Sequence, residues 1–498
     1  MVTLQLLAYP PFTGEFMKKF FLLLASVLIF TACEITFVPP DTIPGNQFRT
    51  FWAQDGRIGI PDNSLFYTLN AQKLAEGNYC TVWGEIGNSR ATVAIAQTIA
   101  RAYDTDIYPK MKAVFSVDDL EYEGNSFDDT MKFADFYGDQ DGKFCILLLD
   151  IRDDYDPRTY PVYTGGYFFS GDFYENASLP SYMKSNECDI IYMDTYPSTP
   201  GSPDSIKTLA HEMQHLMNFV HDVAIRDALS DTWLNEGLSS AAEWVYTGIP
   251  DTERLAWYNT QSTTISNGNN FFVWDPRGDL DDYATVNLFF QWLRLQSGGG
   301  TEIYRAISRS RYPDFNAVVS SMLDYDDWKT LLKTWLAANY INAPTGPYGY
   351  MNDRTLSSVR ARTVRSGTRS VNLYPGEGVY SVTAGSGNTP NAGSNTNIRY
   401  AGLSRGSGDV SDTAVFASGA LLTYNINTNR GGRPEAGTTT GVAASVAAVP
   451  EGLSARAALS VPFKISAGEM LRRNGHGEFI PPFLSSVPRT QDTGDEGN

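Results

Sequence analysis

Apolar residues recur at three-to-four spacing through Leu209, Met213, Leu216, Met217 and Val220, the period of a helix with one buried face. Ser205 and Thr208 supply polar residues for its first turn, so a half-buried helix is expected here. Upstream the period shortens. Residues 65–69 (Leu-Phe-Tyr-Thr-Leu) and 79–83 (Tyr-Cys-Thr-Val-Trp), with Glu76, Gly77 and Asn78 between them, read as strands joined by a turn. Val93, Ala96, Ile99, Ala100 and Tyr103 return to helical spacing behind Ser89, a candidate cap. The unbroken apolar run 144–149 has the length of a buried strand, and two further strand-like runs, 165–171 and 188–194, precede the helix around Leu209. A mixed α/β region over 61–200 therefore leads into that helix.

Beyond Gly248 an aromatic, Asn-rich loop over 258–275 is expected, followed by helical patterns at 283–293, 302–310, 315–323 and 328–340, so that 201–350 forms a helical region. From about residue 366 Gly, Ser, Thr, Ala and Asn dominate and the helical period is lost. Short strands at 371–374, 379–382, 398–403 and 421–426 predict a small β domain over 366–475, and 476–498 is expected to be a disordered tail. Such a β domain either helps bind substrate or a surface, or is a passive stabilising lobe. At the other end, Met17-Lys18-Lys19, an apolar run over 20–30 and Thr31-Ala32-Cys33 have the make-up of an export signal. The run is too short for a spanning helix, which needs ~20 apolar residues. Residues 1–16 carry Pro10-Pro11 and no signal character, so translation is expected to start at Met17, and 34–60, with Pro39-Pro40 and Pro44-Gly45, reads as a tether.

Composition narrows the class. Of 498 residues 42% are hydrophobic and 13% aromatic, ample for a packed core, and the length fits two to three domains. The 56 acidic and 38 basic side chains leave a net charge of −18, which repels nucleic acid and anionic lipid and excludes both as charge-driven partners. Beyond Cys33, only Cys80, Cys145 and Cys188 are present. Two of the three can pair in an exported chain, no particular pair is favoured, and the fold does not depend on a disulfide framework. No feature of the pattern sets an oligomeric state.

The chemistry concentrates in two short motifs. In His211-Glu212-Met213-Gln214-His215 the histidines are four apart, so on a helix both imidazoles leave one face and can hold a metal, with Glu212 beside them to take a proton from water. The second motif, Asp231-Thr232-Trp233-Leu234-Asn235-Glu236-Gly237-Leu238-Ser239, follows after a helix end and a loop and offers Glu236 as a third ligand. A His, His, Glu set leaves the fourth tetrahedral position of a zinc ion for water, as a catalytic site requires. A chance pair of histidines on a polar face is the competing explanation. It is weakened because the chain has four histidines and three of them fall between His211 and His221.

These two motifs resemble those of the gluzincins, the thermolysin-like zinc metallopeptidases, and the words A-H-E-M-Q-H-L-M-N-F and W-L-N-E-G-L-S are most similar to the hyicolysin family of that clan. The resemblance covers about 189–248. It implies an α+β fold, a thermolysin-like catalytic core with a mixed sheet and a helical lobe, to which the small C-terminal all-β domain is added. It also implies zinc held by His211, His215 and Glu236, with Glu212 polarising the attacking water. The family often has an acidic residue four after the ligand glutamate. Here that position is Ser240, and Glu243 can supply the missing carboxylate unless it is a solvated helix charge. Thermolysin-like enzymes place an edge strand before the zinc helix; Gly166, Tyr167 and Phe168 match it, although a glycine-containing hairpin explains them nearly as well. No histidine lies between His221 and His476, so a tyrosine is expected to stabilise the oxyanion. Tyr283, at the head of a helix, resembles the tyrosine of aminopeptidase-like gluzincins, with a structural aromatic as the alternative. His221 is expected at the surface or as a cap. Asp222, Asp227 and Asp231 are calcium candidates by the same resemblance, but their spacing matches no calcium loop, which favours solvated charge. Phe30-Thr31-Ala32-Cys33 resembles a bacterial lipobox, implying membrane attachment through lipid on Cys33 in the cell envelope, with ordinary signal cleavage and secretion as the alternative. The reading is an exported zinc metalloendopeptidase acting on a peptide or protein. A zinc aminopeptidase and a non-catalytic envelope binding protein or adhesin are its rivals.

Overall fold

Strands without a polar face must be covered on both sides, and three such strands form the centre of the sheet. In the computed structural model the protein is described over residues 47–57, 64–115, 143–160, 163–174, 176–179, 181–222, 228–260, 271, 279–325 and 327–361, and over strands at 363–365, 378–382, 398–404, 411–417, 471–472 and 478–479. The first three strands, β1 (Phe48–Gln54), β2 (Phe66–Glu76) and β3 (Cys80–Glu85), are joined in antiparallel fashion. Helix α1 (Val93–Ala102), a π-helical turn (Tyr103–Ile107) and α2 (Tyr108–Phe115) follow. Next come β4 (Phe144–Leu149), β5 (Gly166–Phe168) and β6 (Ile190–Asp194). Sheet order is β1-β2-β3-β4-β6-β5, with β3, β4 and β6 parallel and β5 antiparallel to β6 at the edge.

Several expectations shift. The tether over 34–60 does not hold to its end, because β1 lies within it: Phe51 and Ala53 alternate into the core behind a Pro-rich start that hides the period of two. Helix α1 is capped by Thr92, whose Oγ1 accepts the Ile95 N–H, and not by Ser89. The π-helical turn sits where Pro109 lacks an N–H for the i→i−4 ladder, and this wider turn lets the helix run on to Phe115. Cys80, Cys145 and Cys188 are buried free thiols, so the described residues contain no disulfide. Cys33 and the signal segment lie outside the described residues.

The helical region comprises α3 (Pro203–His221), α4 (Thr232–Thr247), α5 (Thr252–Thr260), α6 (Asp279–Gln296), α7 (Glu302–Ser308), α8 (Phe315–Ser321) and α9 (Trp328–Ile341). Ser202 caps α3 through the Ser205 N–H, and Pro203 occupies the first position, where its missing donor is harmless. Helix α3 is buried on every face from Thr208 onward, not on one, because β5 and β6 cover one side and α4 the other. Phe219 of α3 packs between Phe168 and Phe173. Helix α5 ends inside what the sequence presents as a loop over 258–275, so that Tyr258 belongs to the helix; 261–270 and 272–278 lie outside the described residues. No described helix is long and apolar enough to cross a membrane.

Beyond the helices, β7 (Thr363–Arg365), β8 (Gly378–Val382), β9 (Ile398–Ser404) and β10 (Ser411–Ala417) form a sheet in the order β7-β8-β10-β9. The expected strands at 379–382 and 398–403 fall in it. Those at 371–374 and 421–426, and the stretch after 479, lie outside the described residues.

Gly237 sets the approach of α4 to α6. A Cβ there would stand 2.1 Å from Cε2 of the buried Phe290 ring. Alanine in a helix gains up to ~1 kcal/mol over glycine, but overpacking a filled core costs ~1–3 kcal/mol, and a ring this close cannot yield without moving α6. Gly237→Ala is therefore expected to lower the melting temperature, and adding Phe290→Leu to recover part of the loss. Thermal unfolding of the two variants measures this; a melting temperature at or above the parent's in Gly237→Ala would contradict it.

Candidate metal centre

Helices α3 and α4 pack side by side, and polar side chains meet between them: His211, Gln214 and His215 from α3, and Asn235, Glu236, Ser239 and Glu243 from α4. His211 Nε2 lies 3.4 Å and His215 Nε2 3.5 Å from the same oxygen, Oε2 of Glu236. Among the described residues, these three side chains are the group of metal-ligating types whose donor atoms converge, all within 4.8 Å of one another. All three are buried, and neither His215 Nε2 nor Glu236 Oε2 has a hydrogen-bond partner among the described residues. Buried polar atoms without partners are costly unless something else satisfies them, and a metal ion is what this donor set can take.

The far side of each imidazole fixes its tautomer. His211 Nδ1 is 2.7 Å from Oε1 of Glu243, and a carboxylate only accepts, so Nδ1 donates. His215 Nδ1 donates to Asn235 Oδ1 and to Ser239 Oγ, each at 3.0 Å, while Ser239 gives its own proton to Gln214 Oε1. Both Nε2 atoms then turn their lone pairs toward Glu236. Burial alone would lower the His211 pKa, but Glu236 and Glu243 outweigh it and raise it to about 9. The site strongly favours positive charge.

Glu212 is fully buried and its two carboxylate oxygens have no hydrogen-bond partner among the described residues. Burial pushes its pKa up, against the pull of His215 and His211, to about 7. Gly166 of the edge strand stands directly across from it: a Cβ there would be 3.0 Å from the Tyr192 carbonyl and 3.2 Å from Glu212 Cγ. Tyr167 does not line this side. It points through the opposite face of the sheet, stacks on Tyr192 at 4.2 Å and accepts the Gln54 N–H, because side chains alternate along a strand. Phe168 returns to the helix side and packs on Phe219.

Other candidates are placed as follows. Glu243 is buried, so it is not a solvated charge. Ser240 is buried and accepts a hydrogen bond from Asn287 Nδ2 at 2.8 Å. Tyr283 lies a full turn into α6, not at its head; its ring is buried, 6.4 Å from that of His211. His221 is buried, not at the surface, and its Nε2 meets the carbonyl of Phe115, the last residue of α2. Asp222 is buried, so it is not a solvated charge. Its carboxylate takes both the N–H and the hydroxyl of Ser230 and so closes the loop from α3 to α4. Asp231 accepts from Trp233 Nε1, and Asp227 lies outside the described residues. A separate polar cavity of about 980 Å3 opens on loops 85–90, 150–153 and 195–196, at the carboxyl ends of β3, β6 and β4; none of the cluster residues lines it.

Three residues behind the cluster escaped the sequence reading. Lys207, one turn before His211, lies 2.8 Å from Asp251 Oδ2 and 3.9 Å from Glu243 Oε2. Arg254 Nη2 donates to Glu243 Oε1 at 3.0 Å. Asp251 caps α5 by accepting the N–H groups of Glu253 and Arg254. The signal was present: Pro250-Asp251-Thr252-Glu253 is a helix-start sequence. Burial pushes the Asp251 carboxyl up, but Lys207 and Arg254 outweigh it and hold its pKa at about 2.

An unfolded aspartate titrates at about 3.9, so the stability contributed by Asp251 is fully present above that pH and is lost as pH falls through about 2. Asp251→Asn is expected to cost ~2 kcal/mol near neutral pH, with the difference from the parent shrinking as pH drops from 4 toward 2. Urea unfolding at stepped pH measures it, and a penalty that stays constant over that range would contradict the assignment.

No protein-family model matches the chain. Over 334 residues it is 31% identical to the neutral metalloprotease ShpI of Staphylococcus hyicus, an alignment that spans 64% of this chain and 68% of that protein. With the converging His, His and Glu side chains, this similarity establishes that the chain belongs to the metalloprotease family of ShpI.

Proposed function

We propose that the protein is a zinc-dependent metalloendopeptidase, with His211, His215 and Glu236 as the zinc ligands and Glu212 as the general acid and base. The observation that carries this reading is the shared approach of two imidazole nitrogens to one carboxylate oxygen, beside a second, fully buried carboxylate. Ligands held tetrahedrally at zinc–nitrogen distances of about 2.0–2.1 Å stand roughly 3.4 Å apart, which fits the 3.4 and 3.5 Å separations here. Charge agrees as well. In the connected network the carboxylates Glu236, Glu243 and Asp251 face the cations Lys207 and Arg254, with Glu212 alongside, and this surplus of carboxylate suits a bound cation.

Bound zinc supplies a Lewis acid that acidifies water and polarises a carbonyl. The remaining work falls to side chains. Glu212, with a proton affinity raised by burial, is suited to accept a proton from attacking water and hand it to the leaving amine near neutral pH. Glu243 holds His211, and Asn235 with Ser239 holds His215, each through Nδ1. Tyr283 is the proposed donor to the oxyanion that forms on the attacked carbonyl. The sheet edge at β5 is the proposed track for an extended peptide, with Gly166 kept small so that backbone and Glu212 approach closely. The basic start, apolar run and Cys33 of the signal-like segment support export, with lipid on Cys33 tying the enzyme to the envelope.

Glu212→Gln is expected to retain zinc at the parent's stoichiometry and to lose ~100- to 10,000-fold in peptide turnover, the range general acid–base catalysis supplies. Digestion of a mixed peptide library by parent, variant and chelator-treated protein checks it. Internal cuts that vanish in both controls are the predicted result; loss of terminal residues alone would favour an aminopeptidase, and full turnover by Glu212→Gln would defeat the assignment.

A further inference from the structure

Arg254 touches two parts of the proposed site at once. Its Nη2 lies 3.0 Å from Glu243 Oε1, the same oxygen that faces His211 Nδ1 at 2.7 Å. Its guanidinium carbon lies 4.9 Å from the centre of the Tyr283 ring. The group is buried, and its backbone is fixed by the Asp251 cap, which in turn takes Lys207 Nζ. Helices α3, α4, α5 and α6 therefore meet at one planar cation.

We propose that Arg254 is a positioning residue with two separable duties: its charge and hydrogen bond hold Glu243, and through it His211, while its flat face sets the angle of the Tyr283 ring over the same site. This rests on the zinc-peptidase reading above. The two duties use different properties of one side chain. Glu243 needs a cationic donor, which lysine also supplies; Tyr283 needs a planar partner, which lysine does not. Methionine reverses the trade, since its thioether packs against an aromatic ring but offers Glu243 no charge.

The test is a set of full-chain variants, Arg254→Met, Arg254→Lys, Tyr283→Phe and the Arg254→Lys/Tyr283→Phe pair, each assayed for zinc affinity by chelator competition and for kcat and KM separately. Arg254→Met is expected to weaken zinc binding ~10–100-fold, the range seen when a group supporting a ligand is removed. Arg254→Lys is expected to keep zinc affinity within about threefold of the parent's while kcat falls ~10-fold at unchanged KM, the loss of one well-aimed electrostatic donor being the upper bound. Added to Tyr283→Phe, Arg254→Lys should cost nothing more, because the hydroxyl whose placement it disturbs is already gone. Parental zinc affinity in Arg254→Met, or losses that multiply in the double variant, would overturn the proposal. If Arg254→Met does not fold, the Arg254→Lys and double-variant comparison decides alone. A parent that neither binds zinc nor cleaves peptide would instead defeat the reading on which the proposal rests.

Discussion

His211 is gripped at both ring nitrogens by carboxylates, Glu243 at Nδ1 and Glu236 at Nε2, in a site closed to solvent. Negative charge cannot be buried this densely without compensation. Every other feature of the centre follows from how that compensation is arranged. Lys207 and Arg254 answer Glu243 and Asp251 from behind, while in front Glu236 and the two histidines converge as a group that could hold a metal ion. The partition explains why the supporting carboxylate comes from Glu243, a turn beyond Ser240. At that depth its Oε1 reaches the histidine and Arg254 while its Oε2 lies toward Lys207.

The scaffold serves the same end. A parallel centre of three buried strands gives α3 a rigid floor, and the antiparallel edge strand β5 brings Gly166 against Glu212. Helix α4 covers α3 from the other side, and Gly237 lets α6 come near enough for Tyr283 to reach the neighbourhood of His211. Stability and function are thus joined at single residues: the glycine beside Glu236 spaces two helices, and the aspartate that caps α5 also neutralises Lys207.

Much of this was legible in the sequence because it depends on local spacing. The four-residue step from His211 to His215 survives any tertiary context once the helix forms, and the apolar run 144–149 has no other home than a buried strand. What was not legible depends on packing between distant segments. Nothing in the local sequence ties Lys207, Asp251 and Arg254 to the histidines until α5 is seen to fold back on α3. The alternation in β1 was masked by the prolines before it, and a three-residue strand gives too little period to tell which face Tyr167 takes. His221 looked exposed for want of knowing that the end of α2 would cover it.

The central claim, one zinc ion bound by two imidazoles and a carboxylate, is tested most directly by X-ray absorption at the zinc edge on purified protein, with metal content measured on the same sample. One zinc per chain, with two imidazole nitrogens and the remaining positions filled by oxygen at about 2.0–2.2 Å, is the result predicted. Sulfur in the first coordination sphere, a single imidazole, or protein that retains no zinc would contradict it.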